Sequence, residues 1–214
     1  FCCTEAAVER VWLHRAEAEC MLRARDNPFA TDRVLQQRYR LNEAGWTELL
    51  GKLERMKCRA AIVGPHGSGK TTLLEDLAVR LERAGWRPVW VRLSAEVPRL
   101  PAWCDAAFLR ALGARDVVLL DGAEQLGALA WRVFQYRARR AGGLVITTHR
   151  AGRLRTLRRC ETTPELLAEL VGALGEPLSR EEAERLHGRH GGNVREVIRE
   201  LYDRCAACDE RVSS

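Results

Sequence analysis

Residues 64–71 carry the clearest chemical pattern in this chain. They read G-P-H-G-S-G-K-T, which fits the spacing G-x-x-x-x-G-K-S/T in full. Glycines at such positions let successive backbone N–H groups point into one hollow, and a following helix adds the positive end of its dipole. We expect Lys70 to reach the β and γ phosphates of a nucleotide, and the Thr71 hydroxyl to bind a magnesium ion that bridges them. The predicted nucleotide contacts are Gly64, Pro65, His66, Gly67, Ser68, Gly69, Lys70, Thr71 and Thr72.

The neighbouring residues predict the two elements that a phosphate-binding loop requires. An apolar run at 59–63 precedes the loop, and a helical pattern at 72–78 follows it. A loop set between a strand and a helix in this way favours phosphate binding over an ordinary strand-to-helix turn. No N-K-x-D signature for guanine follows, which favours ATP over GTP.

A carboxylate ends a second apolar run. Residues 117–121 read V-V-L-L-D, so Asp121 is expected at the carboxyl edge of a buried strand, where ligands of open parallel sheets bind. There it would hold magnesium, usually through water, or it could cap the next helix.

The following strand ends in polar residues at the same edge, Thr147, Thr148 and His149. We expect Thr148, or Thr147 if the register differs by one, to position a water molecule or the γ-phosphate. Threonine is also simply a good strand residue, which is the alternative.

These side chains need a sheet to position them, and the chain alternates accordingly. The pattern predicts strands at 59–63, 88–93, 116–120 and 143–148 with a weak one near 154–160, and helices at 70–84, near 103–112 and at 124–140. Short apolar strands that alternate with helices predict an α/β fold with a parallel sheet covered on both faces.

Helical segments flank this central part. The pattern predicts an amphipathic helix at 5–25, an irregular segment to about Asn42, and a second helix that Asn42 caps. After Thr163-Pro164 it predicts short helices at 165–174, 179–190 and 193–207. We therefore divide the chain into an N-terminal helical extension and linker (1–57), a core (58–163) and a small helical subdomain (164–214). The expected core of that subdomain consists of Leu186, Val194, Val197, Ile198 and Leu201.

The order of these features resembles an AAA+ or closely allied STAND-type P-loop ATPase over roughly residues 43 to 204. The resemblance implies a five-stranded sheet of order 5-1-4-3-2, Walker A and B segments at 64–71 and 117–121, a sensor-1 position at 147–148, and a C-terminal helical lid. In that lid the run from Gly192 to Arg195 looks like a sensor-2 motif, so Arg195 would contact the γ-phosphate. The same run could be only a helix start capped by Asn193.

One position departs from the family pattern. Family members carry a Glu directly after the Asp of Walker B, whereas this chain has Gly122, and its nearest carboxylate is Glu124. Glu124 could approach the γ-phosphate from the next helix, or it could be an exposed first-turn residue favoured by the helix dipole. Family members also take an arginine finger from a neighbouring subunit, for which Arg150, Arg153 and Arg155 are candidates beside the simpler reading of a solvated basic loop.

Composition favours a protein with phosphate-containing partners. The formal net charge is +6, nearly all of it from arginine, so nucleic acid is a candidate partner beside ATP and a protein partner or second copy. No apolar run reaches the about 20 residues of a membrane helix, and the charged first 25 residues do not suit a secretory signal, so we expect a cytoplasmic protein. Most of the eight cysteines should then be free thiols. Cys205 and Cys208 could bind zinc only with two further ligands, from Cys2 and Cys3 or His187 and His190.

Three functions fit these features. The first is a magnesium-dependent ATPase that couples nucleotide state to partner contacts. The second is an ATP-dependent switch or adaptor with weak hydrolysis, which Gly122 suggests and which could act on DNA. The third, a small-molecule kinase, fits less well because the helices that would form a lid follow the sheet instead of being inserted within it.

Overall fold

The structure is a computed structural model. It describes residues 27–30, 39, 41–102 and 104–212, the last six by backbone alone. The chain divides into two compact units, one comprising Arg38–Thr162 and the other Phe1–Gln37 with Thr163–Ser214. The helix predicted at 5–25 lies outside the described residues.

The first unit alternates strands and helices as the sequence pattern predicts. Its strands and α-helices, in chain order, are α1 (Glu43–Arg55), β1 (Arg59–Val63), α2 (Lys70–Arg83), β2 (Arg87–Arg92), α3 (Ala106–Ala111), β3 (Asp116–Asp121), α4 (Ala128–Arg137), β4 (Gly143–Thr148) and β5 (Thr156–Arg159). Asn42 caps α1 by accepting a hydrogen bond from the Gly45 amide at 2.8 Å. All five predicted strands are present, each within two residues of its expected bounds.

The five strands form one parallel sheet in the order β2-β3-β4-β1-β5. Read from β5, this is the expected order 5-1-4-3-2. Because parallel strands all end at the same edge, the residues after β1, β3 and β4 are brought together there. The predicted α/β fold, a parallel sheet flanked by helices, is confirmed.

Both faces of the sheet are covered, which explains why its central strands are apolar throughout. Helices α1 and α2 pack on one face, and α3 and α4 pack on the other. Side chains that alternate along each strand serve the two cores: on β3, Val117 and Leu119 face α1 and α2, whereas Val118 and Leu120 face α3 and α4. All four of these side chains are fully buried.

The prediction of a single helix at 124–140 is wrong. The chain instead forms a 3-10 turn at Ala123–Gln125, then helix α4, then a second 3-10 turn at Ala138–Arg140. Leu126 and Gly127 have extended backbone and interrupt the helix. The Leu126 side chain is buried in the core on the α3 and α4 face of the sheet, which stabilises this interruption. Glycine is a weak helix former, so Gly127 favours a fresh helix start over continuation.

The second unit contains three helices, α5 (Pro164–Ala173), α6 (Arg180–Arg189) and α7 (Val194–Val212). Side-chain oxygens cap them at Thr163, Ser179 and Asn193, which accept hydrogen bonds from amides three residues onward. Four of the five predicted core residues are buried, and Ile198 packs beside them partly buried. In the described residues, no helix is long and apolar enough to cross a membrane.

One core residue of the second unit comes from the segment predicted as irregular. Phe29 is buried among the apolar side chains of α5, α6 and α7. Asn27 holds the turn in place by accepting from the Phe29 amide at 2.9 Å and donating to the Tyr202 carbonyl at 3.2 Å. The segment 27–30 thus forms part of the helical unit although it lies far from it in sequence.

Candidate functional site

The loop between β1 and α2 is tightly built at its first residue. A Cβ atom added to Gly64 would lie 2.3 Å from the Cys160 carbonyl oxygen, so no larger residue fits without a shift of the backbone. Gly67 and Gly69 have φ of 68° and 78°, a conformation that glycine adopts readily. The chain thereby turns back on itself before α2 begins at Lys70. The loop faces the N-terminal end of α2, a position that favours anions.

Two side chains of the loop donate hydrogen bonds to the same carbonyl oxygen. Lys70 Nζ lies 2.6 Å from Pro65 O, and Ser68 Oγ lies 2.9 Å from the same atom. Lys70 is only 8% exposed, so its ammonium group lies within the loop and not in bulk water. Phosphate oxygens are stronger acceptors than a neutral carbonyl because they carry charge, so this ammonium group is well placed to contact a phosphate.

Asp121 lies at the carboxyl end of β3 and is held by hydroxyl groups from two other elements. Thr71 Oγ1, in the first turn of α2, donates to Asp121 Oδ2 at 3.0 Å. Thr147 Oγ1, on β4, donates to Asp121 Oδ1 at 2.5 Å and accepts from the Gly122 amide at 2.8 Å. The two residues predicted to bind magnesium, Thr71 and Asp121, are therefore in direct contact.

The two threonines at the end of β4 differ in what they contact. Thr147 faces Asp121, whereas Thr148 donates to the Arg150 carbonyl at 3.3 Å. Both side chains are buried, and adjacent residues of a strand point to opposite faces. Of the two alternatives, the register therefore places Thr147, and not the favoured Thr148, beside the carboxylate.

Gly122 occupies a place where no side chain fits. It has φ of 80°, and an added Cβ atom would lie 2.3 Å from the Leu93 carbonyl oxygen. A glutamate here would have a strained backbone, and its Cβ atom would clash with Leu93, the residue directly after β2. The glycine after Asp121 thus follows from the local packing of this chain.

The next carboxylate, Glu124, contacts the loop 64–71 through histidines. It lies on the 3-10 turn that follows Gly122, and its Oε1 is 3.1 Å from His149 Nε2. The His149 ring packs against the ring of His66, a loop residue, with 3.8 Å between centroids and 63° between planes. Glu124 is therefore neither exposed nor in the first turn of an α-helix, and its second oxygen, Oε2, is buried with no hydrogen-bond partner in the described part of the chain.

Burial lowers the pKa of His149 below its usual value. Neighbouring charges act in both directions, because Glu124 raises this pKa whereas Lys70 and His66 lower it. The net direction favours the neutral imidazole at pH 7, with one ring nitrogen able to accept a hydrogen bond. His149 was predicted to lie at this edge among the polar residues that end β4, with no role of its own.

Of the three arginines considered as fingers, Arg153 is bound within its own unit. Its guanidinium lies 5.2 Å from the centre of the Trp131 ring, and Nη2 donates to the Leu126 carbonyl at 2.5 Å. Burial lowers the pKa of Arg153, and Glu124 counters that effect. Arg150 and Arg155 are exposed on the loop after β4.

Tyr39 lies beside the loop 64–71 and was missed in the sequence, where it falls in the segment up to about Asn42 that was predicted as irregular. A Cβ atom added to Gly69 would be 3.5 Å from the Tyr39 ring, so the ring lies against the start of α2. The Tyr39 amide donates to Asp76 Oδ2 at 2.8 Å, and its hydroxyl contacts the Cys160 sulfur at 3.7 Å. Burial raises the pKa of Tyr39 to about 12, so the phenol stays neutral at physiological pH. Tyr39 belongs to no sequence motif, so its place in the site becomes apparent only from its contacts with α2.

The remaining predicted residues lie in the helical unit. Arg195 is exposed in the first turn of α7, which Asn193 caps. Cys205 is partly buried on α7, and the buried Cys58, Cys104 and Cys160 are free thiols. The described residues hold no cluster of three or more His, Cys, Asp or Glu side chains suited to a metal ion, and the side chains of Cys2, Cys3 and Cys208 lie outside them.

No protein-family model and no curated protein matches this chain.

Proposed function

We propose that this chain binds ATP with magnesium at the loop 64–71 and hydrolyses it, as an AAA+-like or STAND-type ATPase that couples nucleotide state to partner contacts. The contact between Thr71 and Asp121 carries the proposal. It brings the hydroxyl that follows the loop lysine to the carboxylate of a neighbouring strand, at the sheet edge where nucleotides bind in folds of this kind. The buried Lys70 and the left-handed glycines of the loop supply the cation and the backbone curvature that a polyphosphate needs.

The donors at this edge suit magnesium. Thr71 and Asp121 offer an alcohol oxygen and a carboxylate oxygen, and magnesium prefers oxygen ligands. When bound there, the ion would neutralise charge that develops on the phosphates. Thr147 would keep the carboxylate oriented through its hydrogen bond to Oδ1.

Hydrolysis is favoured over a purely binding role because a second carboxylate reaches this edge. Gly122 excludes a side chain directly after Asp121, which supports the alternative of a switch with weak hydrolysis. However, Glu124 and His149 form a polar pair against the loop residue His66. Such a pair provides a group able to handle the proton of an attacking water.

Nucleotide binding and phosphate release test the proposal. Isothermal titration with ATP and ADP, with and without magnesium, should show ATP binding to the parent protein, and Lys70→Ala should lower affinity or turnover at least about tenfold. Lys57→Ala is the matched control, because Lys57 is exposed and lies before β1. Unchanged binding and turnover in Lys70→Ala would refute the phosphate-loop assignment. Bound nucleotide with turnover that stays negligible would favour the switch.

A further inference from the structure

Three titratable side chains meet beside the phosphate loop, outside the group formed by Lys70, Thr71 and Asp121. They come from three separate segments: His66 from the loop, Glu124 from the 3-10 turn after β3, and His149 from the end of β4. His149 lies between the other two: its Nε2 is within hydrogen-bonding distance of Glu124 Oε1, and its ring packs against the ring of His66. The sheet topology brings them together because β1, β3 and β4 end at the same edge.

We propose that His149 is the group that accepts the proton of the attacking water, and that Glu124 is a positioning residue that acts through it. The proposal rests on the proposed ATPase function and deepens it. With Nε2–H donated to the Glu124 carboxylate, the free lone pair of the neutral ring is on Nδ1. A carboxylate that fixes the tautomer of a histidine base in this way is an arrangement found on unrelated folds.

The state of the two carboxylate oxygens, one buried and the other bound to His149, favours this assignment over a direct role for Glu124. Glu124 Oε1 is engaged by His149, and Glu124 Oε2 is buried from solvent without a hydrogen-bond partner in the described residues. Oε2 is therefore closed to a water molecule unless the side chain moves, and Oε1 would have to serve His149 and the water together. The two side chains are similarly exposed, 26% for His149 and 23% for Glu124, but the His149 ring also borders the loop itself.

The surrounding charges keep the histidine suited to this role. The groups that face it are Glu124 from the turn, and His66 and Lys70 from the loop and the start of α2. Burial, Lys70 and His66 all lower the pKa of His149, and Glu124 opposes them. The charge of Glu124 also interacts with that of Arg153. A neutral imidazole at pH 7 can accept a proton, whereas an imidazolium cannot.

The water oxygen bonds to the γ-phosphorus while its proton moves to His149 Nδ1. The bond between the γ-phosphorus and the bridging oxygen breaks, and its electron pair leaves on the β-phosphate of ADP. The imidazolium then releases its proton to solvent at the exposed side of the ring.

Activity and a direct titration together test the role of His149. In the parent protein, kcat at saturating ATP and magnesium should fall as the pH drops through a pKa below about 6.5. His149→Gln should lower kcat at neutral pH at least about 100-fold and remove this acid limb. Glu124→Gln should shift the limb to lower pH, because the carboxylate that raises the His149 pKa is gone. The double variant should be no slower than His149→Gln alone, since both residues act as one unit. His187→Gln, on α6, is the matched control.

NMR titration of the imidazole resonances provides a readout that needs neither nucleotide nor a His149 variant. The pKa of His149 should be lower in Glu124→Gln than in the parent, and unchanged in His187→Gln. An unchanged His149 pKa in Glu124→Gln would overturn the pairing.

ATP titration of the same variants separates the failure of this inference from that of the proposed function. If His149→Gln binds and hydrolyses ATP like the parent, His149 is not the base although the ATPase stands. If Glu124→Gln abolishes the acid limb while His149→Gln keeps it, Glu124 is the direct base and the inference is wrong. If the parent itself does not bind ATP, the proposed function fails first.

Discussion

The Thr71 hydroxyl donates a hydrogen bond to the Asp121 carboxylate over 3.0 Å, and this joins the first turn of α2 to the carboxyl end of β3. The two residues are 50 positions apart in the chain. They meet because β3 and β1 lie on either side of β4 in one parallel sheet and end at the same edge. The contact joins two motifs that lie apart in the sequence, the loop at 64–71 and the strand end at 117–121.

Asp121→Asn should retain the fold and lose magnesium-dependent hydrolysis, because the amide keeps the shape of the carboxylate but not its charge. We expect phosphate release at limiting magnesium to fall at least about tenfold. Measured against magnesium concentration, Thr71→Val should show the same loss and Thr71→Ser should retain activity, since serine keeps the hydroxyl.

Asp116→Asn controls for general effects of a lost charge on β3. Asp116 lies at the opposite end of the strand, where it accepts from the Gly113 amide and pairs with Arg87. Its variant should lose stability without a change in magnesium dependence. Equal turnover of Asp121→Asn and parent at limiting magnesium would remove Asp121 from the metal site.

The two threonines of β4 should respond differently to replacement by valine. Thr147→Val leaves Asp121 Oδ1 and the Gly122 amide without their partner, and a buried unpaired group costs about 1–3 kcal/mol. Thr148→Val removes one long hydrogen bond to Arg150, so we expect a change in unfolding free energy within about 1 kcal/mol. Urea unfolding measures both values. A larger loss in Thr148→Val than in Thr147→Val would contradict the observed register.

Gly122→Ala should destabilise the protein more than Gly85→Ala. Both glycines have similar positive φ, 80° and 84°, so the backbone strain of the two alanines is alike and about 1 kcal/mol. At Gly85 nothing lies within 4 Å of an added Cβ atom, whereas at Gly122 the Leu93 carbonyl oxygen lies 2.3 Å away. The difference in unfolding free energy therefore isolates the clash, which we expect to exceed about 1 kcal/mol.

Gly122→Glu extends this comparison to the acidic residue that the resemblance to AAA+ ATPases would lead one to expect after Asp121. We expect it to unfold at lower urea concentration than Gly122→Ala and to show no gain in phosphate release. Equal stability of the Gly85 and Gly122 alanine variants would mean that Leu93, directly after β2, shifts readily to make room for the added Cβ atom.

Local patterns in the sequence were sufficient to predict the strands and their parallel arrangement, whereas the strand order was expected from the family resemblance. Strand positions, the caps at Asn42 and Asn193, and the apolar core of the helical unit depend on residues close together in the chain, and the structure confirms them. The break at Gly127 was missed because burial of Leu126, a tertiary contact, outweighs the helical periodicity of 124–140.

The site itself depends more on contacts between distant segments. Gly122 must be glycine because the carbonyl group of Leu93, the residue directly after β2, leaves no room for a side chain. The partner of Glu124 is His149, which lies 25 residues away in the chain. Neither spacing forms a motif. The same holds for Phe29, which completes a core built mainly from residues after 163. Such relationships come from strand order and packing, which a pattern along the chain does not encode.

The last prediction concerns Arg195, which is exposed in the first turn of α7. If its guanidinium contacts the γ-phosphate, Arg195→Ala should weaken ATP more than ADP, because only ATP carries that group. The loss of such a charge-assisted contact is on the order of 1.5–3 kcal/mol, or roughly ten- to a hundredfold in affinity. Arg199→Ala is the matched control, since it removes an exposed arginine one turn later on the same helix. Calorimetric titration of both nucleotides decides the matter: equal weakening of ATP and ADP, or none, would mean that residues 192–195 form only a capped helix start.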